Sequence, residues 1–479
     1  MIFKEGYMRY QSITLCTMVL VFLTACGGSG GGSGGAQADN QTRDPELFGS
    51  GENFVNFESG QVRPLALSTA GDLLYATNTP NATLDIFAVD DNGIELQRRV
   101  PVGLEPVAVA LRDGEAWVVN HLSDSISVVD TSVVPARVVK TLYTGDEPRD
   151  IVFAGENNAL AFVTAAHRGQ NGSDDNAIDA QLTTAGVGRA DVWVFDTAAT
   201  GQSVGGEPLT VVTMFGDTLR ALAASADGAR VFAAVMHSGN QTTAVGENRI
   251  AKSGPTKSSD GATQPDTGLI VQFDGSTWVD ETGADADLND NPYQSMVPFS
   301  LPDYDGFVIE ASRTPRVLNR LSGVGTTLFN MAVNPVSGEL YVSNTQALNV
   351  NRFEGPGNVA GTVRGNFIRN RITVVDNDLV LPRELNKHLD RSVAGATAAE
   401  RALSMSQPMG MTVTADGNTV YVAGFGSAKI AIYESAALKD NSFGVSAAAQ
   451  VELTGGGPTG LVLDEARNRL YALTRFNNH

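Results

Sequence analysis

Three of the five histidines follow strands of a repeating pattern, where side chains from separate strands can meet at one edge. They are His121, His167 and His237. Imidazole can ligate a metal ion or shuttle a proton near neutral pH. No H-x-H or H-E-x-x-H spacing accompanies them, so a metal site would be assembled from separate parts of the chain. The alternative is that they are ordinary hydrogen-bonding loop residues, and both interpretations stay open.

Three arginines occupy one position in separate copies of the same pattern, at the start of the innermost strand. They are Arg63, Arg149 and Arg220. A guanidinium can bind an oxygen group through two parallel hydrogen bonds, so three around one opening could hold a carboxylate, a phosphate or a sugar. The alternative is that they pair with Glu105, Asp150 and exposed carbonyl groups of the protein itself.

An acidic run over residues 280–291 offers alternating oxygen ligands at Asp285, Asp287 and Asn289. Such oxygens suit calcium. An EF-hand loop is not matched, because the sixth position is Asp290 rather than glycine and the twelfth is Met296 rather than glutamate. The candidate is therefore a looser calcium loop, and its alternative is a solvated acidic loop. Apart from calcium, no cofactor is evident.

The chain has two cysteines, Cys16 and Cys26, and both lie in its N-terminal segment. For the residues after Cys26, this excludes disulfides, thiolate metal sites and cysteine nucleophiles. It also excludes covalent haem attachment through C-x-x-C-H within these residues.

The N-terminus has the pattern of a processing signal over residues 1–26. Lys4 and Arg9 are basic, and an apolar stretch over residues 13–23 leads into L-T-A-C. The stretch is too short to span a bilayer as a helix. Small residues directly before a cysteine resemble the lipobox of bacterial lipoproteins, and this resemblance implies that the sulfur of Cys26 is acylated. The alternative is an ordinary secretory peptide cleaved nearby.

Residues 27–50 begin with G-G-S-G-G-G-S-G-G and form a predicted Gly/Ser-rich tether. A lipid anchor followed by such a tether predicts an extracytoplasmic protein that is held at the membrane without a spanning helix. Residue Gly27 is not the aspartate that retains lipoproteins in the inner membrane. The outer membrane of a Gram-negative cell, or the cell surface, is therefore the expected location.

The charge balance is acidic, with a formal net charge of −20 and a pI near 4.6. Such a surface repels nucleic acid phosphates and anionic lipid head groups. We therefore expect no nucleic acid partner, and we expect a monomer whose partner is another protein or a small molecule.

One module recurs along the chain: an apolar strand, a tight turn rich in Gly, Asp or Asn, and a return strand that contains an aromatic residue. The seven copies span residues 65–78, 107–120, 151–164, 222–235, 331–344, 411–424 and 461–474. A third strand that ends in an acid follows six of them, at residues 85–90, 125–130, 191–196, 269–274, 371–376 and 429–434. The terminal carboxylate is expected to close an Asx-type turn into a fourth strand.

Four short antiparallel strands in each repeat of about 42 residues predict the blade of a β-propeller. The fold class is therefore all-β, with a seven-bladed propeller over residues 51–479. The largest segments between second and third strands lie at 165–190, 236–268 and 345–370, in consecutive blades. Two links between blades, 303–327 and part of 377–407, should leave the same face. This face would carry a lid or a docking surface. The alternative is that the insertions bind no ligand.

The tetrapeptides Y-A-T-N (75–78), W-V-V-N (117–120) and Y-V-S-N (341–344) resemble the signature of the YVTN-repeat β-propeller family. Longer segments, including 328–345, 380–390 and 455–478, resemble a secreted bacterial subgroup in which the propeller often continues into a cytochrome-c-like part. The resemblance implies the architecture and raises two alternatives, a redox protein of cytochrome-c-like or peroxidase-like type and a lactonase-like hydrolase. No haem residue of that subgroup can be carried over, because the motif C-x-x-C-H is missing from these residues.

The repeat count has one irregularity at the C-terminus. Seven pairs of first and second strands are present, but only six third strands. Residues 53–57, N-F-V-N-F, could close the ring as the outer strand of blade seven. We expect that the chain is a fragment, or that its seventh blade is completed in an unusual way.

The pattern G-x-S-x-G occurs in the Gly/Ser-rich tether and at residues 201–205, G-Q-S-V-G, but no recognisable catalytic set accompanies it. We therefore expect a binding scaffold that uses its insertion-bearing face, with Cys26 as the lipidated residue.

Overall fold

The computed structural model describes residues 60–167, 169, 171, 190–239, 241–245, 269–280, 283–287, 289–297, 304–347, 368–390 and 396–476. The predictions for the signal segment, Cys26, the tether and residues 53–57 lie outside these residues.

The strands follow from short apolar runs that are interrupted by turn residues. Tyr75 and Ile86, for example, pair across β2 and β3 and are both buried. The turn between β1 and β2 is closed by Gly71, whose amide donates to the Ser68 carbonyl (2.8 Å) at φ +73°, a conformation that favours glycine. Gly228 makes the matching bond to Ser225 (2.8 Å), so one turn type serves several blades.

Each of the first three blades is a four-stranded antiparallel meander. Blade 1 contains β1 (Leu65–Leu67), β2 (Leu73–Asn78), β3 (Thr83–Val89) and β4 (Ile94–Pro101). Blade 2 contains β5 (Pro106–Arg112), β6 (Glu115–Asn120), β7 (Ser125–Asp130) and β8 (Arg137–Tyr143). Blade 3 contains β9 (Ile151–Ala154), β10 (Leu160–Ala165), β11 (Ala190–Asp196) and β12 (Thr210–Met214).

The next blades keep this order but carry insertions and two short helices. Blade 4 contains β13 (Leu219–Ala224), β14 (Arg230–Val235), β18 (Gly306–Glu310) and β19 (Val317–Leu321). Within it, β15 (Thr242–Val245), β16 (Leu269–Phe273) and β17 (Trp278–Val279) form a separate three-stranded sheet. Blade 5 contains β20 (Thr327–Val333), β21 (Leu340–Ala347), β22 (Ile368–Asp376) and β23 (Leu379–Glu384).

Blade 6 contains β24 (Pro408–Val413), β25 (Thr419–Gly424), β26 (Lys429–Glu434) and β27 (Gln450–Glu452). Helix α1 (Ala398–Leu403) precedes this blade, and helix α2 (Ser435–Asp440) lies between β26 and β27. The described residues end with a two-stranded sheet of β28 (Pro458–Asp464) and β29 (Arg469–Thr474).

The sheets are arranged in a ring. Contacts join the first strands in chain order, from β1 through β5, β9, β13, β20 and β24 to β28, and β28 contacts β1. Apolar side chains fill the spaces between neighbouring sheets; Trp117 of blade 2 meets Phe153 of blade 3 edge-on at 5.5 Å. The architecture is a β-propeller, as predicted. The number of seven blades stays a prediction, because the last sheet contributes two strands to the described residues.

The prediction for the third strand of blade 4 was wrong. Residues 269–273 form β16 of the inserted sheet, and β18 takes the predicted place beside β14. Both segments are short apolar runs that end at or next to an acid, so local pattern cannot separate them. Phe307 and Ile309 of β18 are buried against the blade core, whereas Val271 packs with Trp278 and Tyr293 inside the insertion. The predicted link at 303–327 therefore contains β18 and β19.

The other insertions occur where they were predicted, between β10 and β11 and between β21 and β22. Of the acids that end the predicted third strands, Asp90, Asp130, Asp196 and Asp274 accept backbone amides two or three residues ahead, which is the expected Asx-type turn, although Asp274 follows β16 of the inserted sheet. Asp376 instead pairs with Lys439 (2.9 Å), and Glu434 precedes helix α2.

The asparagines of the tetrapeptides have structural roles. Asn78, Asn120 and Asn344 donate their side-chain amides to Asp85, Ser127 and Thr373 of the adjoining third strands. Among the described residues, no helix is both long and apolar enough to cross a bilayer.

Candidate functional site at the insertion-bearing face

The predicted site residues lie on one face because of strand pairing. In each blade the start of the first strand pairs with the end of the second, as Pro106 does with Asn120 and Leu219 with Val235. The segments between second and third strands leave from this same edge. We call it the insertion-bearing face.

Residues 60–63, here called the mouth segment, cross the opening of the central channel on this face. The amide of Val62 donates to Val107 of blade 2 (3.0 Å), and its carbonyl accepts from Asn330 of blade 5 (2.7 Å). Gln61 donates to Thr79 of blade 1 and accepts from Thr459 of the last sheet, both at 2.8 Å. The segment therefore connects parts of the ring that are distant in sequence.

Arg63 reaches across the channel to a buried carboxylate. Its Nε and Nη2 donate to the two oxygens of Asp150 (3.2 Å each), and Nη2 also donates to the Leu222 carbonyl (2.7 Å). Asp150 is fully buried, and its oxygens accept the amides of Ile151 and Leu222 as well. Arg63 therefore follows the alternative prediction, in which the arginines pair with groups of the protein itself.

Arg220 is also used by the protein itself. Its Nε donates to the Phe329 carbonyl (3.0 Å) and its Nη2 to the Gln61 carbonyl (3.2 Å), and the residue is 3% exposed. Burial, together with the charge of Arg149, lowers the pKa of Arg220 to about 9. The guanidinium therefore stays charged at neutral pH and fixes the mouth segment against blade 5.

Arg149 and His121 lie beside this closed part of the mouth. Arg149 Nη2 donates to Glu147 (2.9 Å), and its buried Nε has no partner among the described residues. His121 is 5% exposed, and its Nδ1 lies 3.2 Å from the Pro148 carbonyl, so Nδ1 carries the proton and Nε2 the lone pair. Burial first, and then Arg149, lowers the pKa of His121. A neutral imidazole and a cation with a spare donor are thus adjacent at the rim.

The other two histidines do not join this pair in a metal site. His167 contacts Asp146 through its backbone (3.0 Å), and the amide of His237 donates to Asp217 (3.3 Å) while its side chain is exposed. The part of the chain that the structure describes contains no group of three or more His, Cys, Asp or Glu residues able to hold a metal ion.

The acidic run near residue 287 forms a turn in the insertion. One carboxylate oxygen of Asp287 accepts the amides of Asn289 (2.8 Å) and Asn291 (3.0 Å), and the Asn291 side chain donates to both oxygens. The amide of Tyr293 donates to the Asp285 carbonyl (2.8 Å). This D-x-D-x-N pattern therefore builds a closed turn in which Asp287 already has protein donors.

One group of polar residues was not predicted. Lys429 begins β26 and shares the buried side of that strand with Ala431 and Tyr433, and it lines a depression together with Arg401. The sequence signal that could have revealed this group is a lysine on the same side of a strand as apolar residues.

Comparisons with known proteins support the fold. Hydrazine synthase from Kuenenia stuttgartiensis is similar over 90% of this chain and 96% of its own, with a TM-score of 0.56 and 16% identity. A 6-phosphogluconolactonase-like protein from Bacteroides fragilis aligns over 85% and 86% of the two chains, with a TM-score of 0.45 and 12% identity. At 16% identity, the likeness to hydrazine synthase shows the fold alone. No family model matches, and no curated protein matches significantly, so the YVTN-repeat assignment stays a resemblance.

The lowered pKa of His121 predicts a pH dependence of stability. As the pH falls through the ordinary histidine value of 6.5, the unfolded chain binds a proton that the folded chain resists, so the free energy of unfolding decreases. We expect wild type to lose more stability between about pH 7.5 and about pH 5.5 than His121→Gln, measured by urea unfolding.

The matched control is His237→Gln, because His237 is exposed. This variant should keep the wild-type pH dependence. Equal losses in wild type and His121→Gln would show that His121 is not held neutral by its surroundings.

Proposed function

We propose that this protein is a lipid-anchored, extracytoplasmic binding scaffold that captures a partner through its insertion-bearing face. The observation that supports this most is the insertion in blade 4, between β14 and β18. It builds its own apolar cluster from Val245, Val271, Trp278, Tyr293 and Val297. A loop that folds around its own core presents a defined surface, which is the property that partner recognition needs.

The insertion is attached to the propeller through its two ends. Ser238, where it leaves, donates to Asp305, where it returns, and to the Gly325 carbonyl (2.7 Å). Asp305 is fully buried and accepts the amides of Val324 (2.5 Å) and Gly325 (3.4 Å). The carboxylate of Asp305 thus holds together the two ends of the insertion and the link to blade 5. A partner bound to the insertion would therefore be held by a part of the chain that is fixed to the propeller.

The rim of the mouth supplies a second set of contacts for a partner on this face. Arg149 is partly exposed and His121 is neutral, while Arg63 and Arg220 are engaged inside the channel. Arg149 would donate to a carboxylate or carbonyl oxygen of a partner, whereas Nε2 of His121 would accept an N–H or O–H group. The proposed ligand-binding role thereby rests on Arg149 and His121 more than on the other predicted residues.

Anchoring is supported by the L-T-A-C sequence at residues 23–26 and by the Gly/Ser-rich residues that follow. The redox and lactonase-like alternatives have the shared fold as their support, and no contact in the described residues favours either of them.

Excision of the insertion tests the binding role. Because Ser238 contacts Asp305, a short Gly/Ser linker from Gly239 to Tyr304 should close without strain. We expect this variant to keep the thermal transition and far-ultraviolet circular dichroism of the propeller. In cross-linked cells it should lose the partner that copurifies with wild type.

The matched control is Val336→Asp, which alters an exposed turn between first and second strands, on the opposite face. It should capture the partner as wild type does. Equal capture by the excised variant, or no captured partner with wild type, would contradict the proposal.

Acylation of Cys26 is tested separately by labelling with a fatty acid analogue. Wild type and Cys16→Ser should incorporate the label and sediment with membranes, whereas Cys26→Ser should do neither, since its hydroxyl cannot form the thioether. Label retained by Cys26→Ser, or absent from wild type, would refute the anchor.

A further inference from the structure

A depression of about 420 Å³ lies on blade 6, and its lining includes no residue of the mouth segment or of the blade 4 insertion. It is open to solvent between helix α1 and the turn that joins β25 to β26. Its polar lining consists of Arg401, Ser404, Ser406, Ser427, Lys429 and Glu452. Cations and hydroxyls thus converge on a cavity whose lining includes neither Arg149 nor His121.

Lys429 is the most deeply buried of these groups, at 5% exposure. Its ammonium donates to the Ala402 carbonyl and to Oε1 of Gln450 (3.2 Å). An ammonium has three N–H donors, so one remains for the cavity that the side chain lines. Burial lowers the pKa of Lys429 and Glu452 opposes this effect, as expected for a cation whose hydration is incomplete.

Arg401 and the serines complete the donor set. Arg401 is exposed, and only one of its guanidinium nitrogens, Nη1, is occupied by the Ala396 carbonyl among the described contacts. The hydroxyl of Ser427 accepts the amide of Ser406 (3.2 Å), which fixes the wall of the depression. The hydroxyl of Ser406 itself makes no hydrogen bond within the described residues and is available to a ligand.

The geometry favours binding over hydrolysis. Ser404 lies 3.3 Å from Nε2 of His388, a spacing that suggests a nucleophile and its base. However, Nε2 lies 2.9 Å from the Glu400 carbonyl, which only accepts, so Nε2 carries the proton. The hydroxyl of Ser404 donates to the same carbonyl (2.9 Å). No lone pair on Nε2 is left to take the serine proton.

We propose that this depression binds a small carboxylate monoanion, with Lys429 and Arg401 as charged donors and Ser406 as a neutral donor. Glu452 faces the same cavity, so two positive charges and one negative charge line it. A monoanion neutralises that lining, whereas a dianion leaves an excess of negative charge beside Glu452. The site lies on the insertion-bearing face, because the turn between β25 and β26 leaves from that edge, but its lining includes no residue of the blade 4 insertion or of the Arg149 rim, and the proposal does not depend on partner capture.

Trifluoroacetate is a suitable probe, because its fluorine relaxation reports binding of a carboxylate monoanion directly. At constant ionic strength we expect saturable broadening with the full-length protein, reversed by acetate and less effectively by inorganic phosphate. Arg401→Gln and Lys429→Met should each weaken binding by about tenfold, since each removes a charge-assisted hydrogen bond. Glu452→Gln should strengthen binding by about threefold by removing a like charge.

Arg316→Gln is the matched control, since Arg316 is an exposed arginine of blade 4 that pairs with Glu310. It should bind as wild type does.

Thermal melts will show whether Lys429→Met folds. If it does not fold, the variants of the exposed residues Arg401 and Glu452 decide the test. Unsaturable broadening, no effect of Arg401→Gln, weaker binding by Glu452→Gln, or stronger competition by phosphate than by acetate would each overturn the proposal. The excised blade 4 variant should still bind the probe, which separates this site from partner capture.

Discussion

The carboxylate of Asp150 is the interaction on which the centre of the molecule depends. It is fully buried in blade 3, and both of its oxygens accept hydrogen bonds from Arg63 of the mouth segment. The amides of Ile151 and Leu222 complete its shell. A buried charge is costly unless it is paired and hydrogen-bonded, so the burial of Asp150 requires Arg63 to stay in place. Blades 1, 3 and 4 thereby become parts of one polar network.

The mouth segment extends this connection around the ring. Val62 bonds to blades 2 and 5, and Gln61 bonds to blade 1 and to the last sheet. These residues cross the opening and bond to the inner ends of first strands and to the segments beside them. The surfaces left for recognition are the rim near Arg149, the insertion of blade 4 and the depression on blade 6. The scaffold proposal and the carboxylate site both follow from this division between a closed centre and an open periphery.

Most of the fold could be predicted from the repeat pattern. Period-two strands and Gly or Asp turns predicted the blades, and the acids after third strands predicted the turns at Asp90 and Asp130, because these signals act over a few residues. The wrong assignment at 269–273 arose where two segments with the same local pattern competed for one place beside β14. β18 occupies that place because it pairs with Phe232 and its neighbours in β14, and such pairing depends on residues that are distant in sequence.

The site was less predictable for the same reason. The repeat alignment placed Arg63, Arg149 and Arg220 at one opening, but it could not show that the segment containing Gln61 crosses that opening. Which arginine is engaged depends on contacts between residues more than one hundred positions apart, such as Arg220 with Phe329. Lys429 was detectable as a charge on a buried strand face, yet its cavity needs α1 and Glu452, which are remote in sequence.

The claim that Asp150 and Arg63 hold the ring together is tested most directly by a double-mutant cycle, read by chemical unfolding of the full chain. Asp150→Ala and Arg63→Ala should each lower the free energy of unfolding by about 3 kcal/mol, because each leaves a partner unpaired. The double variant should lose less than the sum, by about 1–3 kcal/mol. The exposed pair Glu310 and Arg316 serves as the control cycle and should couple by less than about 0.5 kcal/mol. Additive losses at Asp150 and Arg63, equal to those of the control cycle, would contradict this account.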